Sequence, residues 1–535
     1  MSAQPAAQWV PATAGADAIA LPASGLLQNL CEMERTREAY WQRYPATSPT
    51  RLRWRAHAVR HAMHVTAGDA VLEIGAGSGL WTRELARTLP DSVITAAVFN
   101  TEFAAAAERS GASAAVLVES PADLNPGSFD YVVGTAILSH DRYQEHLDWI
   151  RTLLRPGGQL LFFEANYWNP QVFAKAQSVR VARWSRNAEC QIALRKAAVG
   201  RALGRQGFTD SIVVPYDILH ARTPNRLVPA VQSAAFVAEH LPGVRELCGQ
   251  LFISARLPGD VACRRRPDLS RHAQFRDAVS VVVPCHNESM NVTPLVAALR
   301  ESYDPYLKEI VLVDDNSSDD TAVVGEALAA QDPRVRVVRR TPPAGVGRAL
   351  RDGYAATTGE YVLTMDCDFA MLVPELRDLF DAVADGADGA IGSRFSYDSV
   401  LLNYPAGKLV GNRAFHALVR LLIGRRVRDV SNNLKLYRGD ILRGLEITQD
   451  GFAANAETGL APILAGADIR EVPIAWINRE AEMGVSSFKV LRVAPGYAVA
   501  LTRMLLHNRA RARAIAILNP STTSSGAAAI RRAQP

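Results

Sequence analysis

Cysteine is scarce in this chain and spaced for neither metal nor disulfide chemistry. The six residues Cys31, Cys190, Cys248, Cys263, Cys285 and Cys367 form no CxxC pair, which argues against a zinc ribbon or a disulfide scaffold and for reduced, buried thiols. No apolar run approaches the roughly 18 residues that a spanning helix needs. A secretory leader is not expected either: the first positive residue is Arg35, and Met1–Ser24 is rich in Ala, Pro and Gly rather than continuously apolar. Charge of one sign is also lacking. Lys and Arg total 59 against 54 Asp and Glu, a net +5 over 535 residues, too thin an excess to predict a nucleic-acid partner. The expectation is a cytoplasmic protein, with attachment to the inner face of a membrane left open.

What is present points to two α/β domains. At 535 residues the chain exceeds one ordinary domain, and its 48% apolar and 21% charged composition is that of globular protein. The expected divisions are an N-terminal extension at 1–50, a first domain at 51–257, a linker at 258–278, a second domain at 279–489 and a basic tail at 490–535. The linker, Pro258–Ala278, interrupts the pattern with Pro, Gly and the basic run Arg264–Arg266.

In the first domain, Ala70–Gly75 reads as a buried parallel strand and Leu80–Leu89 as an amphipathic helix. Between them, Gly75, Gly77 and Gly79 let the backbone turn sharply and approach a ligand closely. Glu73, inside the strand, suits a cationic ligand and would repel a pyrophosphate. Further strands follow at Ser92–Asn100 and Phe129–Leu138, then an RPGG turn and a fifth strand within Leu153–Glu164, with closing strands in GFTDSIVVPYD and GQLFISARLP. From about Arg51 to Leu257 this order resembles a class I S-adenosylmethionine-dependent methyltransferase with a Rossmann-like sheet. The resemblance implies S-adenosylmethionine as cofactor, held by Glu73, Gly75, Gly77 and Gly79. It puts Asn100, where relatives carry an acid, near the ribose, with Glu102 two residues beyond. Asp123, or alternatively Glu119, is the implied adenine contact. His140 and Asp141 fall where relatives carry catalytic or substrate residues. The stretch Ala165–Gln206, with Tyr167, Trp168 and Trp184 among arginines, is placed to form either a cap over the acceptor or a packed helical pair.

The second domain opens on Val279–Pro284, a strand followed by CHNES and a helix to about Arg300. Glu309–Thr321 is a second strand running into an acidic turn. Carboxylates just past a strand can take the base or ribose of a nucleotide, so Asp314 and Asp315, with Pro284, His286 and Glu288, are the expected donor contacts. Ser317–Asp320 can also cap the helix beginning near Thr321. Gly359–Met371 supplies a third strand ending in Asp366-Cys367-Asp368, two carboxylates at i, i+2 that can share one Mg2+ or Mn2+.

The triple pattern VVVPxxNE, VDDxSxDxT and DxD resembles a family 2 glycosyltransferase of GT-A fold. The downstream segments IGSRFS, GNRAFHAL, RDVSNNLKLYR, GFAANAE and REVPIAWINRE…GVSSFK follow the order of polyprenyl-phosphate sugar transferases such as dolichyl-phosphate mannose synthase. No QxxRW motif of processive synthases occurs. The resemblance implies a nucleoside-diphosphate sugar donor, GDP-mannose or a UDP-sugar, and a polyprenyl phosphate acceptor, with inversion at the anomeric carbon. It assigns the acceptor phosphate to Arg394 and Arg413 and the donor pyrophosphate to Arg479, with Lys489 displaced from the usual Gly-x-Ser-Lys spacing. Asp429 is either an acceptor-site residue or an acid buried against an arginine. Beyond Lys489, Arg503, Arg509, Arg511 and Arg513 interleave with apolar residues, as in a basic amphipathic helix on anionic lipid or a packing helix with a basic end. The expected whole is a bifunctional transferase, its alternative a sugar transferase for a soluble or glycan acceptor with an inactive, cofactor-sensing methyltransferase-like domain.

Overall fold

A computed structural model describes residues 23–138, 142–177, 193–259, 270–396, 398–402, 404–477 and 495–506. Two seven-stranded sheets organise it. The first has the order β3-β2-β1-β4-β5-β7-β6, built from β1 (Ala70–Ile74), β2 (Val93–Val98), β3 (Ala114–Leu117), β4 (Phe129–Thr135), β5 (Leu154–Ala165), β6 (Thr209–Tyr216) and β7 (Gln250–Arg256). Its strands pair in parallel except β7, which runs antiparallel between β5 and β6. This is the doubly wound arrangement expected, and the closing strands fall where the sequence placed them.

The second sheet has the order β10-β9-β8-β11-β14-β12-β15. Its members are β8 (Val279–Cys285), β9 (Leu307–Asp314), β10 (Val335–Arg339), β11 (Tyr361–Thr364), β12 (Gly389–Ser393), β14 (Lys435–Arg438) and β15 (Ile469–Pro473), while β13 (Val400–Leu402) and β16 (Ala475–Ile477) pair separately. Strand β14 is antiparallel to both neighbours. Its first residue, Lys435, therefore lies beside Thr364, the last residue of β11, and the segment before β14 arrives at the edge where the parallel strands end.

Continuous apolar runs form these strands because both sheet faces are covered. Val281 and Val283 enter one core layer and Val282 the other. In the first sheet Leu72 and Ile74 take one side and Val71 the other. The N-terminal region is part of this packing. Helix α1 (Ala23–Arg43) buries Leu26 and Leu30 against the first sheet. Helix α2 (Ser48–Met63) buries Leu52, Ala56, Val59 and Met63 in a cluster shared with Val400, Leu402 and Ala475 of the second half.

That shared cluster joins the halves, and ion pairs rim it. Arg53 meets Asp398 at 3.0 Å and Arg377 meets Asp91 at 2.8 Å, while Arg60 pairs with Asp378. Among the described residues no helix is long and apolar enough to cross a membrane. In the C-terminal helical stretch 495–506, Leu501 is buried in the second domain's core with Met504 and Leu505 against it. This packs one end of the proposed amphipathic segment; Arg509, Arg511 and Arg513 lie outside the described residues.

Two stability predictions follow from these burials. Arg60→Ala leaves Asp378, whose carboxyl burial already pushes upward, without its cation. The expected cost is about 2 kcal/mol, below the ~3–5 kcal/mol of a fully buried pair because 32% of the Arg60 side chain is exposed. It is read as a lower urea midpoint of the full chain. The second concerns Glu73, buried in β1 and accepting from the Thr82 hydroxyl at 2.7 Å. Burial raises its carboxyl to about 7, so the folded state holds a proton that the unfolded chain releases above its usual value of 4.5. Stability should fall as pH rises from about 4.5 to about 7. Glu73→Gln is expected to flatten that fall, by up to about 3 kcal/mol, in thermal melts between pH 5 and 8.

Candidate active site

The edge of the second sheet gathers most of the acidic residues singled out in that domain. Asp366 and Asp368 follow β11, and Asn433, just ahead of β14, donates from Nδ2 to Asp366 Oδ1 at 2.6 Å. Burial raises the Asp366 carboxyl. It also pushes Asp368 up to about 7, with Asp366 and Glu288 adding repulsion. Glu288 is itself raised by burial and accepts from Asn291 Nδ2 at 2.5 Å.

Burial is the main cause of these upward shifts, and a hard divalent cation at Asp366 and Asp368 would offset the buried negative charge. The residues therefore fit such an ion. Among the described residues no group of three or more His, Cys, Asp or Glu side chains is gathered to hold a metal alone.

Cationic groups border the carboxylates. Arg394 lies just past β12 and is clamped by Asp429, which accepts from its Nε at 2.7 Å, its Nη2 at 2.8 Å and its backbone N at 2.8 Å. Burial works against the Arg394 charge, and Asp429 with Tyr404 and Tyr497 more than offsets it, holding the guanidinium above its ordinary value. Asp429 is fully buried, so the second of its two expected roles, an acid buried against an arginine, describes its contacts. Rings of Phe395, Trp476 and Tyr404 surround the guanidinium at 5.3, 5.9 and 6.0 Å.

Two lysines escaped the sequence reading. Lys408 is half-buried, with burial and Arg394 lowering its ammonium while Asp368 supports it. Lys435 is fully buried and brought down to about 7 by burial; its ammonium donates to Asn455 O and Thr458 Oγ1, each at 2.6 Å. The quoted segment RDVSNNLKLYR contains both Asn433 and Lys435, so a signal existed.

Other expected donor contacts are spent partly on structure. His286 Nδ1 donates to Asp315 O at 2.9 Å. Pro284, the penultimate residue of β8, is half-buried at the same edge. Asp314 accepts from Ser317 N at 3.2 Å. Asp315 takes Gly345 N at 2.6 Å together with Arg340, which ties its carboxylate to the loop after β10. Within the expected capping stretch, Asp319 accepts from Thr321 N at 3.0 Å and Ser289 N at 3.2 Å, bracing two helix starts.

Arg413 faces the other half of the chain. Its guanidinium sits 4.8 Å over Phe236, on the wall of a cavity of about 480 Å3 between the domains that Trp54, Tyr216, Phe395 and His416 also line. Arg479, Lys489, His140, Asp141 and Trp184 lie outside the described residues. In the aromatic stretch after β5, Arg195 packs 4.3 Å over Tyr167.

The glycine loop of the first domain has the expected backbone, with φ of 69°, 55° and 77° at Gly75, Gly77 and Gly79. Its surroundings differ from the expectation, because side chains of α1 fill the place of a ligand. Glu34 accepts from Gly77 N at 2.9 Å, Phe99 N at 3.0 Å and Asn100 Nδ2 at 2.6 Å. Arg37 donates to Gly75 O and to Thr135 O, the latter at 2.7 Å. Glu38 accepts from the Ser78 hydroxyl. Asn100 is further tied to Cys31, and Asp123 spends its carboxylate on Glu119 N and Ser120 N at 2.8 and 2.7 Å. The space left between Glu73, Trp41, Trp81 and the loop is about 10 Å3, room for at most one water. In this arrangement the residues do not fit S-adenosylmethionine. The i, i+3, i+4 spacing of Glu34, Arg37 and Glu38 on one helix face was the available signal.

Comparison with known proteins matches residues 72–160 to a methyltransferase domain and residues 280–445 to glycosyl transferase family 2. A polyprenol monophosphomannose synthase of Mycolicibacterium smegmatis is 33% identical over 218 residues, covering 38% of this chain and 79% of that protein. An undecaprenyl-phosphate mannosyltransferase of Micrococcus luteus is 29% identical over 208 residues, 38% of this chain and 84% of the relative. A dolichol-phosphate mannosyltransferase of Pyrococcus furiosus is 30% identical over 182 residues, 32% of this chain and half of the relative. With its DxD at the carboxyl edge of a GT-A sheet and a relative matched at this level over most of its length, the chain belongs to glycosyl transferase family 2, its transferase domain preceded by a domain of the methyltransferase fold.

Proposed function

We propose that the second domain transfers a hexose, with inversion, from GDP-mannose or a UDP-sugar to a polyprenyl phosphate. The observation that carries this reading is the crowding of Asp366, Asp368 and Glu288 beside Arg394 and Lys408. The resemblance to polyprenyl-phosphate mannosyltransferases supports the acceptor.

A phosphate monoester is anionic at neutral pH, so its oxygen attacks the anomeric carbon without a dedicated base. One bond forms between that oxygen and the anomeric carbon. The bond from the carbon to the diphosphate oxygen breaks, and its electron pair leaves with the nucleoside diphosphate. A divalent cation held by Asp366 and Asp368 would supply positive charge against that leaving group. Asn433 fixes the Asp366 carboxylate. Asp429 fixes Arg394, which is positioned for phosphate oxygens, while Lys408 places a second cation near Asp368. Arg413 reaches the acceptor from the interdomain cavity, whose wall includes Phe395, the residue after Arg394. Arg479 is assigned to the donor pyrophosphate. A lipid acceptor brings the chain to a membrane surface, where the basic residues after Arg503 would meet anionic headgroups.

For the first domain, whose loop α1 fills in this closed form, the two expected readings are methyl transfer to an unidentified acceptor and cofactor sensing without turnover, and either requires α1 to move.

Turnover of radiolabelled GDP-mannose and UDP-sugars on polyprenyl phosphate with Mn2+ tests the transfer. Asp366→Ala with Asp368→Ala is expected to lose about 100-fold or more of the rate. Undiminished transfer by that variant would refute the metal assignment. Activity on soluble acceptors with none on polyprenyl phosphate would overturn the acceptor.

A further inference from the structure

We infer that helix α1 is an internal occupant of the glycine loop: Glu34, Arg37 and Glu38 hold the groups a free S-adenosyl ligand would use, so the intact chain excludes that ligand until α1 is displaced. The inference rests on the first domain's methyltransferase fold and not on the sugar-transfer reading.

The chemistry of the contacts is that of a ligand. Glu73 suits a cation, and the cation delivered to its neighbourhood is the Arg37 guanidinium, buried and stabilised by Glu34 and Glu73. Arg37 donates to carbonyls from two separate strand ends, Gly75 O after β1 and Thr135 O at the end of β4. A free ligand's ammonium or sulfonium would have to displace it. The Glu34 carboxylate collects donors from the loop at Gly77 and from the end of β2 at Phe99 and Asn100. Those donors would otherwise face ligand oxygens.

The glycines report the same closeness. A β-carbon added at Gly75 would lie 2.8 Å from Arg37 Nη2, and one at Gly77 would lie 2.6 Å from Glu38 Oε2. The close approach that a Cβ-free loop permits is therefore used by this chain's own side chains. Leu26 and Leu30 anchor the same helix in the core, so α1 is a packed element rather than a loose strap. Its end leads directly into α2, which is wedged against β13 and β16 of the second domain.

Isothermal titration of the full chain with S-adenosylhomocysteine tests this, beside a Glu34→Ala, Arg37→Ala variant. The variant is expected to bind at least roughly tenfold more tightly, since apparent affinity scales with the fraction of open loop. Hydrogen exchange should show the Gly77 and Phe99 amides losing protection in the variant while those of β1 keep theirs. If the double variant fails to fold, Glu34→Gln, which keeps the side chain's size, is expected to show the same direction. Equal binding by wild type and variant overturns the inference, whether both bind or neither does. Weaker binding by the variant overturns it as well, by making α1 a part of the ligand site.

Discussion

Negative charge packed at the end of the second sheet is the constraint around which that domain is arranged. Asp366, Asp368 and Glu288 crowd one edge; burial raises all three carboxyls, and repulsion adds to it at Asp368 and Glu288. The surroundings relieve this only in part. Asn433 satisfies one oxygen of Asp366, Lys408 faces Asp368 from a half-buried position, and Arg394 has much of its charge answered by Asp429. A site fully balanced by its own residues would have little affinity for a cation carrying a diphosphate. Under the proposed function, the residual imbalance would favour such a cation at this edge.

The first domain solves the opposite problem with the same materials. Its loop offers amides to an anion and carbonyls to a cation, and α1 supplies both, Glu34 for the first and Arg37 for the second. Desolvation works against each of these charges. Each is met by several partners at close range, the condition under which buried charge is tolerated. Through α2 this closed unit presses on the second domain, where Val400, Leu402 and Ala475 complete its core. A methyltransferase fold thereby serves as a wall of the interdomain cavity that Arg413 lines.

Strand-forming runs and their punctuation were readable from sequence because both sheets are buried on two faces. The run expected at Val279–Pro284 became a strand to Cys285, and the one at Ala70–Gly75 a strand to Ile74. The DxD and the glycine loop fell at strand ends for the same reason. Partners distant in the chain were not readable. Residues 1–50 were expected as an N-terminal extension, and only the fold brings Glu34, Arg37 and Glu38 to Gly77, Thr135 and Ser78. Asn433 reaches Asp366 because antiparallel β14 sets its first residue, Lys435, beside Thr364, a pairing that the legible segment RDVSNNLKLYR does not itself announce. Asp315, expected as a nucleotide contact, also accepts from Arg340 and Gly345 N, contacts that no local pattern announces.

The central claim is that the second sheet's acidic edge receives a nucleoside diphosphate together with a divalent ion. Its most direct measurement is calorimetric binding of GDP and UDP to the full chain with Mn2+ and with EDTA, repeated on Asp368→Asn. Mn2+ should strengthen binding of at least one nucleotide by roughly tenfold or more, and Asp368→Asn should abolish that gain. Equal affinity with Mn2+ and with EDTA for both nucleotides would contradict it.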